Sequence, residues 1–192
     1  MTDAPSPLPA PRPGIGAGAV VWRGEADGVN VRHWIYGLES STALSRIPNT
    51  DLWHITLEIP PCSRVEYKLE IHRGGQSQWI EDPWNPFRAR DPFGANSVMQ
   101  GHGYEIPAWT RHDPDARPGT LEPFRFESKT MGTRTGHLYL PARFRRSRLY
   151  PLLVVHDGSD YLKYAAMKTV LDNLIHRLEV PDMIVAFTDS PD

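Results

Sequence analysis

Cysteine is almost absent: Cys62 stands alone among 192 residues. One thiol excludes an intramolecular disulfide and any cage of cysteine ligands for a metal, and a small half-buried side chain is role enough for it. Long apolar runs are missing too. No stretch approaches the roughly 18 residues of a membrane helix, and the N-terminus lacks the basic region followed by an apolar one that marks a secretory signal. Excess charge of one sign is the third absence. Lys and Arg number 21 against 23 Asp and Glu, a net charge of -2, so no overall field gathers nucleic acid or anionic lipid. Neither partner is expected, and a cytoplasmic enzyme or binding protein is the default. What remains, 40% hydrophobic and 23% charged residues, is the composition of a globular protein with a core. The length suits one or two domains.

Residues 1–18 alternate proline (Pro5, Pro7, Pro9, Pro11, Pro13) with small residues and end in Gly14, Gly16 and Gly18. Few backbone donors and no apolar period are left, which predicts a flexible, partly extended arm; a docking motif for a proline-reading domain is the alternative. From Ala19 to Ile106 the pattern is β. Trp53, Ile55, Leu57 and Ile59 alternate with His54, Thr56 and Glu58, and Val65, Tyr67, Leu69 and Ile71 with Glu66, Lys68, Glu70 and His72. Period two means one face on a core and one in water, as in an antiparallel sandwich. Pro60–Ser63 connects the two strands and Gly74–Gly75 is the next turn. Val29 to Leu38 reads as a less regular third strand. Trp53 shares the apolar parity of its strand and is expected in the core, as is Trp79, whereas Trp84 lies in a proline-rich turn where it could be exposed. A flat exposed ring would offer a pyranose an apolar face.

The words Trp53-His54-Ile55-Thr56-Leu57, Val65-Glu66-Tyr67-Lys68-Leu69 and Trp79-Ile80-Glu81-Asp82-Pro83-Trp84-Asn85-Pro86, in that order, resemble the immunoglobulin-like early-set domains related to family-48 carbohydrate-binding modules. The resemblance covers roughly residues 20–99. It implies an immunoglobulin-like β-sandwich over 19–106, with no glycan-binding residue carried over.

Prolines and a shift in composition over 107–119 predict a linker. Beyond it, Leu121–Ser128 and Arg134–Leu140 read as a hairpin joined by Gly132–Thr133. Arg143, Arg145, Arg146 and Arg148 then form a basic cluster, read as a solvated connection, with attraction of an anionic substrate as the alternative. The run Leu152-Leu153-Val154-Val155 has no polar alternation, as in a strand buried on both faces of a parallel sheet. It breaks into His156-Asp157-Gly158-Ser159-Asp160, placing polar groups where open α/β sheets put their ligand crevice. Met167, Val170, Leu171, Leu174, Ile175 and Leu178 then mark one face of a helix over 165–178. Pro181 ends it, and Met183–Phe187 is a second apolar strand. Strand, helix, strand is a right-handed parallel crossover.

Phe126-Glu127-Ser128, Gly136-His137-Leu138-Tyr139-Leu140-Pro141 and Tyr150-Pro151-Leu152-Leu153-Val154-Val155-His156-Asp157-Gly158 resemble the enterochelin-esterase group of α/β-hydrolases, whose members also carry an early-set domain in front. The resemblance implies a partial α/β-hydrolase over 120–192, a mixed sheet with a βαβ unit. It also implies a serine carboxylic-ester hydrolase acting on a small-molecule ester without a cofactor. The loop Asp157-Gly158-Ser159 would be one side of an oxyanion hole, with the backbone N–H of Ser159 as donor. No Gly-x-Ser-x-Gly occurs in the 192 residues. His156, Ser159 and Asp160 are too close in sequence to aim at one another as a triad, and His156, Asp157 and Asp160 have no second cluster to complete a metal site. Asp157 and Asp160 are expected to serve the turn and the helix N-cap instead. In the hydrolase order the Leu152–Val155 strand pairs with the Met183–Phe187 strand on one side and with a fifth strand on the other. The second edge is therefore expected to be bare and apolar here, the chain being read as the N-terminal, C-terminally truncated part of a longer esterase. The competing reading is a non-catalytic glycan-binding or interaction module.

Overall fold

The computed structural model describes residues 16–34, 39–130 and 132–189, which divide into two compact units, 1–105 and 106–192. The first holds β1 (Gly16–Arg23), β2 (Gly28–His33), β3 (Ser41–Ala43), β4 (Ser45–Arg46), β5 (Leu52–Ile59), β6 (Arg64–Arg73), β7 (Gln76–Ile80), β8 (Arg88–Asp91) and β9 (Gly94–Gln100). Two antiparallel sheets result. One has the order β1-β5-β4, the other β3-β2-β6-β9-β8, with β7 also on β6. Val20 and Trp22 of β1 and Trp53, Leu57 and Ile59 of β5 share one buried cluster with Val29 and Val31 of β2 and Tyr67, Leu69 and Ile71 of β6. The apolar parity of both clear strands therefore faces a common core. Each fully buried side chain of this size contributes about 1.5–3 kcal/mol.

Gly74 and Gly75 have φ of 55° and 77°, as the two central residues of a tight hairpin turn require. Of the third strand only Gly28–His33 is observed; Trp34 beyond it is exposed, and residues 35–38 lie outside the described residues. So does most of the proline-rich arm. Trp53 is buried as expected, but Trp79 is 49% exposed. It sits on β7 opposite Glu70, which faces away from the core. Cys62 is exposed rather than half-buried. It occupies the connection after β5 with φ of 57°.

The second unit contains β10 (Thr120–Ser128), β11 (Gly132–Leu140), β12 (Leu152–His156), α1 (Gly158–Tyr164), α2 (Met167–His176) and β13 (Ile184–Thr188). Its sheet has the order β10-β11-β13-β12, with β12 and β13 parallel and the other pairs antiparallel. Ser128 pairs with Gly132, so Gly132 and Thr133 lie within β11 rather than between the hairpin strands. Tyr139, Val155, Leu171, Val185 and Phe187 form the core.

Two expectations need correction here. β12 is not buried on both faces: Leu152, Leu153 and Val154 are 64%, 38% and 48% exposed and only Val155 is buried, because among the described residues β12 ends the sheet and pairs with β13 alone. The predicted helix is also shorter, Met167–His176, and a separate short helix precedes it. Residues 158–164 already form α1, and α2 starts after Ala166 in a left-handed conformation (φ 49°). The hydrophobic period locates α2 but not all of its buried face, which includes Asp172 and Asn173. Asp172 accepts the Gly119 N–H (2.7 Å), the Tyr139 hydroxyl (2.9 Å) and the Lys168 ammonium (2.6 Å). Asn173 donates to the carbonyls of Trp109 and Arg111 at 2.8 and 2.7 Å, laying the segment before β10 along the helix.

Candidate functional site

The carboxyl ends of the two parallel strands meet at residues 156–160 and 188–189. Asp157 follows β12 with φ 55° and ψ 41°, a left-handed conformation that costs a non-glycine residue energy and turns the chain sharply into α1. Its carbonyl accepts the N–H groups of Asp160 and Tyr161 at 3.0 and 3.2 Å. The amides of Gly158 and Ser159 stand ahead of these first bonds, where helix N–H groups have no intrahelical acceptor. Gly158 is buried against β13. A Cβ there would lie 2.5 Å from Phe187 Cβ and 2.6 Å from that residue's Cα and carbonyl carbon, so glycine is required for close approach.

On the other side of the turn, Ser159 Oγ donates to Asp189 Oδ1 at 2.5 Å. Asp189 Oδ2 accepts the Thr135 hydroxyl at 3.2 Å, and the Asp189 N–H donates to the Thr135 carbonyl at 3.3 Å. Thr188 Oγ1 donates to the Val155 carbonyl at 3.2 Å and lies 3.4 Å from His156 Nδ1. The strand ends of β11, β12 and β13 are thus laced together by hydroxyls and one carboxylate.

This arrangement brings Asp157, Gly158 and Ser159 into one turn but builds no triad from them. The Ser159 hydroxyl is directed at a carboxylate, and the recorded partner of His156 is a threonine. Asp157 occupies the N-cap position of α1 and Asp160 lies in its first turn, but against expectation the Asp157 side chain makes no cap hydrogen bond. No group of three or more His, Cys, Asp or Glu side chains that could hold a metal ion occurs among the described residues, and no described helix is long and apolar enough to cross a membrane. Asp189, Thr188 and Thr135 escaped the sequence reading. The usable signal was position: Asp189 comes just after the second apolar strand, whose carboxyl end must neighbour that of the first in a parallel pair.

A second polar cluster lies on the first unit, on the face of β2, β6 and β7 away from the core. Glu70 is buried there, accepting Arg32 Nε at 2.7 Å and Trp79 Nε1 at 3.2 Å. The Arg32 hydrogen bond holds the Glu70 carboxyl below its usual range against the opposing effect of burial. Arg32 also stacks 5.1 Å from the Trp79 ring centroid. Trp84 is 57% exposed, on a turn that Asp82, Asn85 and Arg88 pin to the backbone.

No protein-family model and no curated protein matches the chain. Solved structures do. Enterobactin esterase from Shigella flexneri, crystallised in the presence of enterobactin, is 18% identical with a TM-score of 0.64, the match covering 92% of this chain and 53% of that one. Ferric enterobactin esterase from Salmonella typhimurium is 19% identical with a TM-score of 0.66, covering 93% and 54%. The chain spans about half the length of the solved esterases it matches. At these identities the likeness is one of fold, and it is to esterases of the enterochelin group, which the sequence resembles.

Proposed function

We propose that the chain is part of a serine carboxylic-ester hydrolase of the enterochelin-esterase kind. On this reading residues 19–106 are an immunoglobulin-like early-set domain, 107–119 connect the domains, and 120–192 carry one oxyanion loop acting on a small-molecule ester. The observation that supports it is the strand order β10-β11-β13-β12 with the Asp157–Ser159 turn at the carboxyl end of β12. Acyl transfer needs N–H donors aimed at the oxygen that becomes negative in the tetrahedral intermediate. A backbone amide suits this because the turn, rather than a rotamer, aims it. The Ser159 N–H is that donor, and one such group is worth about 3 kcal/mol of barrier. Gly158 and Asp157 shape the turn that presents it. The nucleophile elbow that such an enzyme needs has no counterpart in the 192 residues.

The test is hydrolysis of a p-nitrophenyl ester by the 192-residue chain and by the polypeptide extended along its reading frame. Turnover is expected only from the extended polypeptide. An extended frame without a nucleophile elbow overturns the esterase reading, and turnover by the 192 residues alone overturns the assignment of the site.

The exposed Trp79, buttressed by Arg32 and Glu70, favours a second reading in which the first unit binds a glycan. The ion pair leaves that face polar but locally neutral, with an indole open to stack on a sugar. Retardation in α-glucan affinity gels that Trp79→Ala abolishes is the expected result; equal mobility with and without glucan rules it out.

A further inference from the structure

We infer that Asp189 is the positioning residue of the turn after β12, holding Ser159 by its hydroxyl and thereby fixing where the Gly158 and Ser159 amides point. The catalytic meaning of this rests on the ester-hydrolase reading; the strut itself does not.

The geometry has two sides. Gly158 is pressed on Phe187 so closely that no side chain fits between them, which fixes how near the turn sits to β13. The 2.5 Å bond from Ser159 Oγ to Asp189 Oδ1 supplies the second point of attachment. A hydroxyl-to-carboxylate bond is shorter and roughly twice as strong as one between neutral groups. Asp189 is itself held at two further points, its Oδ2 by the Thr135 hydroxyl and its N–H by the Thr135 carbonyl. The strut therefore runs from β11 through Asp189 to the first turn of α1, spanning 54 residues from Thr135 and 30 from Ser159.

Asp189 is not itself a donor to a developing anion. Its negative charge opposes one at the neighbouring amides, so any benefit to the reaction comes through geometry. That distinguishes it from a merely adjacent carboxylate: its effect must pass through the Ser159 hydroxyl. Asp189→Ala and Ser159→Ala should then have the same consequence, and the double variant no more than either alone. Asp189→Asn keeps an acceptor for Ser159 and should restore most of the effect.

Two readouts separate the strut from its catalytic use. In the 192-residue chain, hydrogen exchange at the Asp160 and Tyr161 amides, both bonded to the Asp157 carbonyl, reports the order of the turn. Asp189→Ala and Ser159→Ala are each expected to speed it about ten-fold, with other amides of the sheet unchanged. In the extended polypeptide, both variants should lower kcat about ten-fold with KM unchanged, a fraction of the 100- to 1,000-fold cost of losing an oxyanion donor outright. Unchanged exchange at Asp160 and Tyr161, or additive effects in the double variant, overturns the inference. Altered exchange with no ester turnover in the unsubstituted extended polypeptide leaves the strut standing and sinks the esterase reading instead.

Discussion

Gly158 and Asp172 show how much can depend on one side chain. A methyl group at 158 would meet the backbone and Cβ of Phe187 at 2.5–2.6 Å, and neither is the flexible end of a side chain. Gly158→Ala is therefore expected to cost about 1–3 kcal/mol by overpacking, read as a lower denaturation midpoint of the second unit; an unchanged midpoint would show that the turn can lift off β13. Asp172 is the opposite case, a buried group whose removal strands others. Tyr139, Gly119 and Lys168 all donate to it. Burial first, and then the Asp172 bond, push the Tyr139 hydroxyl far above its ordinary value. Asp172→Ala is expected to cost about 3–5 kcal/mol, as breaking a buried charged pair does, whereas Asp172→Asn, which keeps an acceptor, should cost less than half as much. Equal costs in denaturant titrations would refute the network.

At the level of elements, β12 is the exception in its sheet. An edge strand usually carries charge or a bulge that discourages pairing, yet Leu152, Leu153 and Val154 are apolar and exposed. The sequence anticipated this bare edge from the hydrolase strand order, even though the run by itself reads as doubly buried. Self-association of the 192-residue chain is the expected consequence. Leu152→Lys should reduce its light scattering at a given concentration; scattering that does not respond places the sticky surface elsewhere. In α2 the apolar period locates the helix and Leu171, but it says nothing of Asp172 and Asn173. Their partners at Gly119, Tyr139, Trp109 and Arg111 are 33 to 64 residues away.

Over the molecule as a whole, the resolved acid-side shifts share one sign. The Arg23 hydrogen bond holds Asp51 below its usual range, Arg32 does so for Glu70, and the Asp115 N–H, then Arg177, for Asp113. Burial lowers the His33 imidazole. In each case the unfolded chain binds the proton more readily, so stability is complete above the unfolded values and falls with pH. The loss begins below about pH 6.5 as His33 is forced to titrate and steepens below about pH 4.5 with the carboxylates. Thermal midpoints measured from pH 7 to pH 4 should fall, and Glu70→Gln should flatten the lower part of that curve. A midpoint that rises on acidification contradicts the assignments.

Local chemistry made most elements legible. Alternation along β5 and β6 identifies their buried faces, two adjacent glycines a hairpin turn, and unbroken apolar runs the parallel pair β12 and β13, because period and turn conformation depend on near neighbours. The turn Asp157-Gly158-Ser159 was legible in the same way. Folding alone decided that Trp79 leaves the core to lie beside Arg32 and Glu70, and that Ser159 points at Asp189 and not at His156. Those outcomes depend on strand order and register, which bring together side chains that no local pattern connects.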